Sequence, residues 1–315
     1  MRIIYMGSPE FALFGLNALA QSHHEIVGVV TREDKIKGRK KLPLPTVVKT
    51  RSEELGLKVF TPKNPNEGEF LEEIKKLNAD IIVVSAYGKI LKSEILAMPK
   101  YGVMNIHGSL LPLYRGASPI NSAIKNGDTK TGITIMYLDE GMDEGDICLK
   151  KTLEIGENEN FDSLRDRMGA LGGEMLIEAL ELIEKGSAPR IRQRKDAATY
   201  CNLMTRDDEL INWQQNLGEI HNHIRSISPN PGAFTYFGKE PIKILETTKE
   251  FAEYTGKPGE FLGAQKNQGV QIGANGGYLW LITVKPAGKK AMKALDWYRG
   301  LRNTENIKFT NEPIE

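Results

Sequence analysis

The sequence predicts a doubly wound, mostly parallel α/β sheet followed by a second, smaller β-barrel domain. Three observations predict it. The chain opens on an apolar run, residues 2–6, passes through Gly7-Ser8-Pro9 into a helix-spaced stretch, and reaches a second apolar run at 25–30. A further run at 80–85 (D-I-I-V-V-S) is almost continuously apolar and β-branched, as a strand covered on both faces must be. Beyond residue 230 the pattern changes to short β-rich runs separated by glycine turns, which suits a small barrel.

Each element follows from its own residues. Pro9 can open a helix at its first turn, and Phe11, Phe14, Ala18 and Leu19 recur at helical spacing to about Gln21. Gly7 is followed by Ser8 and Pro9, so G-x-G-x-x-G is missing and a dinucleotide fingerprint is set aside. Residues 31–49 have no period and concentrate Arg32, Lys35, Lys37, Arg39, Lys40 and Lys41. That run reads both as a solvated loop and as a flexible basic arm for RNA phosphates. Residues 47–55 and 68–77 read as helices around a short strand at 58–61. Strands follow at 103–107, 133–138 and 150–155, with a helix at 120–126. Residues 161–185 form a long amphipathic helix that Gly186 stops.

The second half is shorter-ranged. Residues 187–205 are polar and read as a linker, which places a first domain at 1–189, the linker at 190–206 and a second domain at 207–315. In the second domain a helix at 217–226 precedes strands at 234–237, 242–246, 259–263, 269–274 and 278–285. Lys285, Lys289, Lys290, Lys293, Arg299 and Arg302 face only Asp296, and Trp297 and Tyr298 lie among them. This strip reads as a surface for RNA backbone or as an ordinary terminal helix. A frayed tail is expected after Arg302.

Composition bounds the function. The 315 residues suggest about two domains, and 40% hydrophobic with 26% charged residues is ordinary for a globular protein. A formal net charge of +1 gives no overall pull on nucleic acid, so any RNA binding must come from local patches. Cys148 and Cys201 offer neither a disulfide framework nor zinc spacing, as expected in a reducing compartment. No run approaches the ~20 apolar residues that span a bilayer. The chain goes straight into a strand, so a cytoplasmic location is expected; a monomer is expected as well.

The chemistry-bearing stretch is 102–146. Asn105 and His107 stand two apart on a strand and so share a face at its end. An amide beside an imidazole suits a developing oxyanion, and histidine can also move a proton. The sequence D-E-G-M-D-E-G-D at 139–146 turns at Gly141 and Gly145 and can carry Asp143 to a neighbouring strand end. The same residues also read as satisfied structural groups and as a surface turn or cation loop. Loops 86–91, 107–116 and 139–146 each follow a strand's carboxyl end, where open α/β sheets bind ligands. His221 and His223 neighbour no acidic cluster and read as structural.

The motif N-I-H-G-S-L-L-P-x-Y-R-G-A-x-P, followed by T-G-I-T-I-M-x-x-D-x-G-x-D-x-G-D, resembles the folate-dependent formyltransferases. Within them it is most similar to the members that act on methionyl initiator tRNA. The resemblance implies a Rossmann-like formyltransferase domain and an OB-like second domain. It implies 10-formyltetrahydrofolate as formyl donor, no metal, and a catalytic trio at Asn105, His107 and Asp143. Main-chain groups of Tyr87, Gly88, Lys89 and Ile90, the segment Ser109, Leu110, Leu111 and Pro112, and Asp139 would hold the folate. Arg39, Lys40, Lys41, Arg206, Lys289 and Lys290 would meet the tRNA. The family usually has lysine where Arg206 stands and often an aromatic where Asn230 stands. The implied chemistry is direct attack of the amine on the formyl carbon. The alternatives are transfer to a small amine, such as a sugar nucleotide or glycinamide ribonucleotide, hydrolysis of the formyl folate, and RNA binding on a retired scaffold.

Overall fold

The computed structural model describes residues 1–37, 42–301 and 308–313. Two compact units divide the chain. The first comprises Met1–Pro119, Thr131–Leu153 and Arg165–Asn202; the second comprises Ile120–Lys130, Glu154–Leu164 and Leu203–Glu315.

The first unit is built on a seven-stranded sheet in the order Ile147–Glu154, Lys130–Tyr137, Val103–His107, Ile81–Ser85, Arg2–Gly7, Glu25–Val30 and Val59–Phe60. From Val103–His107 to Val59–Phe60 the neighbours are parallel. Ile3, Ile4, Tyr5, Met6, Ile81, Ile82 and Val83 are wholly buried, which explains their unbroken apolar runs. The helix Phe161–Glu184 lies close on this sheet because its G-A-L-G-G stretch removes side chains. A Cβ on Gly172 would come within 2.9 Å of Ile106, beside the site strand. Leu71, Ile74 and Ile95 pack with Ile4, Met6, Val30, Ile82 and Val84 in an apolar core.

Several local readings change. Residues 31–49 contain a small antiparallel hairpin, with Lys35 beside Leu44 and Ile36 beside Pro43. Lys49 braces its approach with hydrogen bonds of 2.9 and 2.8 Å to Asp34. Arg39, Lys40, Lys41 and Arg302 lie outside the described residues. The polar stretch after Pro189 is hydrogen-bonded into the first unit. Ile191 exchanges backbone hydrogen bonds of 2.8 and 2.9 Å with Ile147. Tyr200–Cys201 pairs in parallel with Arg115–Gly116. These partners are mostly backbone, so a polar sequence gives no periodic sign of them.

The second unit is a curled antiparallel sheet. Its order is Phe261–Gln265, Gly269–Ala274, Gly277–Pro286, Glu240–Phe251, Ala233–Phe237 and Phe309–Thr310, with Met292–Lys293 also paired to Gly277–Pro286. The curl brings the two edges together: the Phe309 amide donates to the Gly259 carbonyl at 2.8 Å, just ahead of the first of these strands. Helix Leu217–Ser226 starts in a reciprocal cap between Asn216 and Glu219. It buries Leu217, Ile220 and Ile224 in the core that also holds Ile242, Ile244, Leu279 and Leu281.

The expected frayed tail is corrected for residues 308–313; residues 302–307 and 314–315 lie outside the described residues. Phe309 is 1% exposed and packs against Trp213, Phe237, Phe261 and Trp297. One aromatic in a polar tail carries no pattern, yet it closes the core. His221 and His223 are structural, as read. His221 donates from Nε2 to the Glu157 carbonyl at 3.3 Å and bonds Thr247 Oγ1 through Nδ1 at 2.9 Å. Burial, with the Lys249 charge adding, pushes its pKa down to about 4. His223 donates from Nε2 to the Asp208 carbonyl at 2.7 Å, and burial lowers its pKa too.

Candidate active site

Strand Val103–His107 places Asn105 beside Val84 on one side and Met136 on the other. Asn105 is half-buried and His107 is 5% exposed. The His107 Nε2 lies 2.9 Å from the Tyr114 carbonyl oxygen. A carbonyl only accepts, so Nε2 carries the hydrogen in this ring orientation. Nδ1 then faces the Asp143 carboxylate at 3.7 Å. That separation is too long for a direct hydrogen bond and short for a charge contact. The same carboxylate oxygen accepts the Gly116 amide at 2.8 Å.

Asp143 does not arrive by the expected route. Strand Lys130–Tyr137 runs antiparallel to Val103–His107, with Tyr137 beside Met104 and Thr134 beside His107. The acidic loop therefore leaves beside the start of the site strand, not beside its carboxyl end. It must come back along the sheet to bring Asp143 to His107. The backbone records that detour. The described non-glycine residues in the left-handed region are Asn78, Ala86, Tyr114 and Asp143, and the last three sit on the three loops of the site. Such conformations persist only where surrounding contacts hold them.

The other two loops are braced as well. Arg32 donates from Nε to the Tyr87 carbonyl at 3.0 Å and from Nη2 to the Gly88 carbonyl. Lys89 donates to the Pro62 and Lys63 carbonyls, each at 2.6 Å, and the Ile90 carbonyl accepts from Asn66 at 2.8 Å. The Tyr87 ring belongs to the core, where burial pushes its hydroxyl up to about 12. Thr134 Oγ1 accepts the Leu111 amide at 3.1 Å and donates to the Ser109 carbonyl at 2.7 Å. Ser109 Oγ donates to the Leu113 carbonyl at 2.5 Å, and Lys150 donates to the Leu111 carbonyl at 3.1 Å. Leu110 is half-buried, and the Pro112 carbonyl accepts the Thr199 amide at 3.2 Å. Asp139 is exposed and accepts the Gly141 amide at 2.9 Å, which tightens the acidic turn. Ile90, Leu113 and Met142 leave apolar side chains exposed on these same loops.

The family model described as formyl transferase matches residues 1–180, and that of its C-terminal domain matches residues 203–302. The chain belongs to the formyl transferase family. It is 40% identical over 298 residues to the methionyl-tRNA formyltransferase of Syntrophus aciditrophicus, covering 95% of each chain. It is 41% identical over 303 residues to the protein of that name from Carboxydothermus hydrogenoformans, covering 96% of this chain and 97% of the other. Two solved structures share the fold. One is the N-formyltransferase of Helicobacter canadensis in complex with folinic acid and dTDP-3-aminofucose, with 20% identity, a TM-score of 0.65, and coverage of 91% of this chain and 99% of that one. The other is the methionyl-tRNA formyltransferase of Clostridium thermocellum, with 18% identity, a TM-score of 0.58, and coverage of 91% and 98%.

Within this family fold, sequence reasoning missed the groups that hold the acid in place. The Gly116 amide and the Tyr114 carbonyl are backbone, and no residue type announces them. Arg115 stands in the sequence as the arginine of the Y-R-G motif with no role attached to it, yet it is 1% exposed. Its guanidinium donates to Gln193 Oε1 from Nε at 3.2 Å and from Nη2 at 2.9 Å. It also reaches Tyr200 at 3.3 Å and Glu144 at 3.4 Å. Gln193, in the polar stretch read as a linker, is 6% exposed. The available signal was the stretch Ile191-Arg-Gln193, one apolar position inside a polar run. Arg206, Lys289 and Lys290 are exposed in the second unit. No helix among the described residues is long and apolar enough to cross a membrane.

Proposed function

We propose that the chain transfers the formyl group of 10-formyltetrahydrofolate to the α-amino group of methionine on initiator tRNA, in the cytoplasm and as a monomer. The observation that carries this reading is the likeness, over 95% or more of both chains, to proteins named methionyl-tRNA formyltransferase. The amine nitrogen attacks the formyl carbon, a tetrahedral oxyanion forms, and the bond from that carbon to the folate nitrogen breaks. The amine gives up a proton and the leaving nitrogen takes one. The products are formyl-methionyl-tRNA and tetrahydrofolate.

The residues divide that work. Asn105 and His107 face the oxyanion, with each such donor worth about 3–4 kcal/mol in comparable sites. Nε2–H of His107 is committed to the Tyr114 carbonyl. Only Nδ1 is left to take a proton or, once it carries one, to donate. Asp143 stands beside that nitrogen, where its charge stabilises positive charge that develops on the ring. The loops at 87–90 and 109–112, with Asp139, hold the folate. Arg39, Lys40, Lys41, Arg206, Lys289 and Lys290 hold the tRNA backbone, a contact that weakens with salt.

The test is single-turnover transfer of labelled formyl from 10-formyltetrahydrofolate to initiator methionyl-tRNA, elongator methionyl-tRNA and free methionine. Rapid transfer to the initiator alone is expected. His107→Ala should slow the chemical step, and Arg39→Ala should weaken productive tRNA binding. Consumption of the folate with no tRNA formylated would overturn the reading in favour of hydrolysis or a small-amine acceptor.

A further inference from the structure

We infer that Gln193, held by Arg115, is a positioning residue for formyl transfer: it fixes residues 143–145 so that Asp143 is presented to His107. This deepens the proposed reaction and rests on it.

The hydrogen-bond capacity of the Gln193 amide is fully used and split between two tasks. Its NH2 donates to the carbonyls of Asp143 and Gly145, both at 2.8 Å. Its oxygen accepts both hydrogen bonds of the Arg115 fork. An amide offers two donors and two lone pairs, so nothing is left over. Arg115 in turn contacts the Glu144 carboxylate. Three successive residues of the acidic loop are thereby tied to one cluster: two through their carbonyls and one through its side chain.

The loop needs such a tie. Asp143 has φ +51, a conformation that costs free energy for any residue but glycine and is kept only by outside contacts. Its carboxylate accepts a hydrogen bond from the Gly116 amide. That contact fixes the end of the side chain but not the backbone from which it projects. Gln193 holds that backbone. It is itself immobile, because both it and Arg115 are buried. Such burial stiffens a network in which every group is satisfied.

Gln193→Glu tests this. It keeps the size of the side chain and an acceptor for Arg115. It replaces the two donors with an oxygen that repels the Asp143 and Gly145 carbonyls. The measurement is the single-turnover rate of formyl transfer to initiator methionyl-tRNA, with the donor KM, in four proteins: the parent, Gln193→Glu, Asp143→Asn and the double variant. Displacing the acid should cut the rate of Gln193→Glu about tenfold, within the loss expected when the Asp143 charge is removed outright, with the donor KM little changed. In the Asp143→Asn background the same change should cost little more, because the carboxylate through which it acts is gone. A silent Gln193→Glu, or a loss that multiplies in full with that of Asp143→Asn, overturns the inference alone. A silent Asp143→Asn overturns the site reading together with it. If Gln193→Glu fails to fold, Arg115→Lys enters the same cycle. It keeps the charge and loses the fork that grips Gln193.

Discussion

Asp143→Asn is the most informative single change, because it removes the charge and keeps the shape. The asparagine oxygen can still accept the Gly116 amide, which now binds Asp143 at 2.8 Å, so the loop stays anchored. What is lost is attraction for positive charge on the His107 ring, across 3.7 Å. Two unit charges about 4 Å apart attract by about 4 kcal/mol at an effective dielectric constant of about 20. The Asp143 side chain is 15% exposed, so water screens part of this. Halving it leaves about 2 kcal/mol, or roughly thirtyfold in rate at about 1.4 kcal/mol per tenfold. The assay is rapid-quench transfer from labelled 10-formyltetrahydrofolate to saturating initiator methionyl-tRNA, alongside the KM for each substrate. The loss should fall on the single-turnover rate and leave both KM values nearly unchanged. A folded variant within about threefold of the parent would refute the electrostatic role. So would a loss expressed wholly in the tRNA KM.

Three other outcomes follow from the same contacts. His221 sits at about 4 in the folded chain against an ordinary 6.5, so the unfolded chain takes up the proton first. The associated stability, about 3 kcal/mol, is present above pH 6.5 and is lost as pH falls toward 4. Denaturant titrations at pH 7 and pH 4.5 should show the drop, and His221→Gln should flatten it. Tryptophan fluorescence reports the second unit, because Trp213, Trp280 and Trp297 all lie there. By the same assay Phe309→Ala should cost about 3–5 kcal/mol, and an unchanged midpoint would detach the tail from the core. Gly116→Ala would set a Cβ 2.3 Å from the Cys201 carbonyl at a φ of +114. It should lower formyl transfer more than about tenfold by moving the amide that anchors Asp143, with native circular dichroism retained.

The parts of the fold that could be read from sequence are those that repeat. Arg2–Gly7 and Ile81–Ser85 are buried on both faces, so each had to be written as an apolar run. Leu164, Met168, Met175 and Leu180 return at helical spacing because one face of Phe161–Glu184 is buried. The hairpin at Lys35–Lys37 is three residues long on each side and follows no alternation that a charged run would reveal. Phe309–Thr310 is a two-residue strand whose placement depends on a single side chain. Segment 190–202 is held by Ile147, Arg115 and Gly116, partners far away in the chain, and its own composition looks solvated.

The site divides along the same line. Asn105 and His107 are two apart on one strand, and the period of a strand is enough to put them on one face. The two glycines marked the acidic loop as a turn and the family resemblance singled out Asp143 within it, but neither gave the path by which it arrives. That path is set by the antiparallel run of Lys130–Tyr137, which sends the loop off at the far end of the site strand. A carboxylate that must return across the sheet cannot rely on its own strand for placement. Its backbone is bent into the left-handed region, its side chain is pinned by the Gly116 amide, and its carbonyl is gripped by Gln193. Strand direction thus decides which supports the acid requires. Those supports come from residues 115–116 and 193, segments joined to each other by the parallel pairing of Arg115–Gly116 with Tyr200–Cys201. Loosening that pairing should therefore disturb the chemistry before it disturbs the fold.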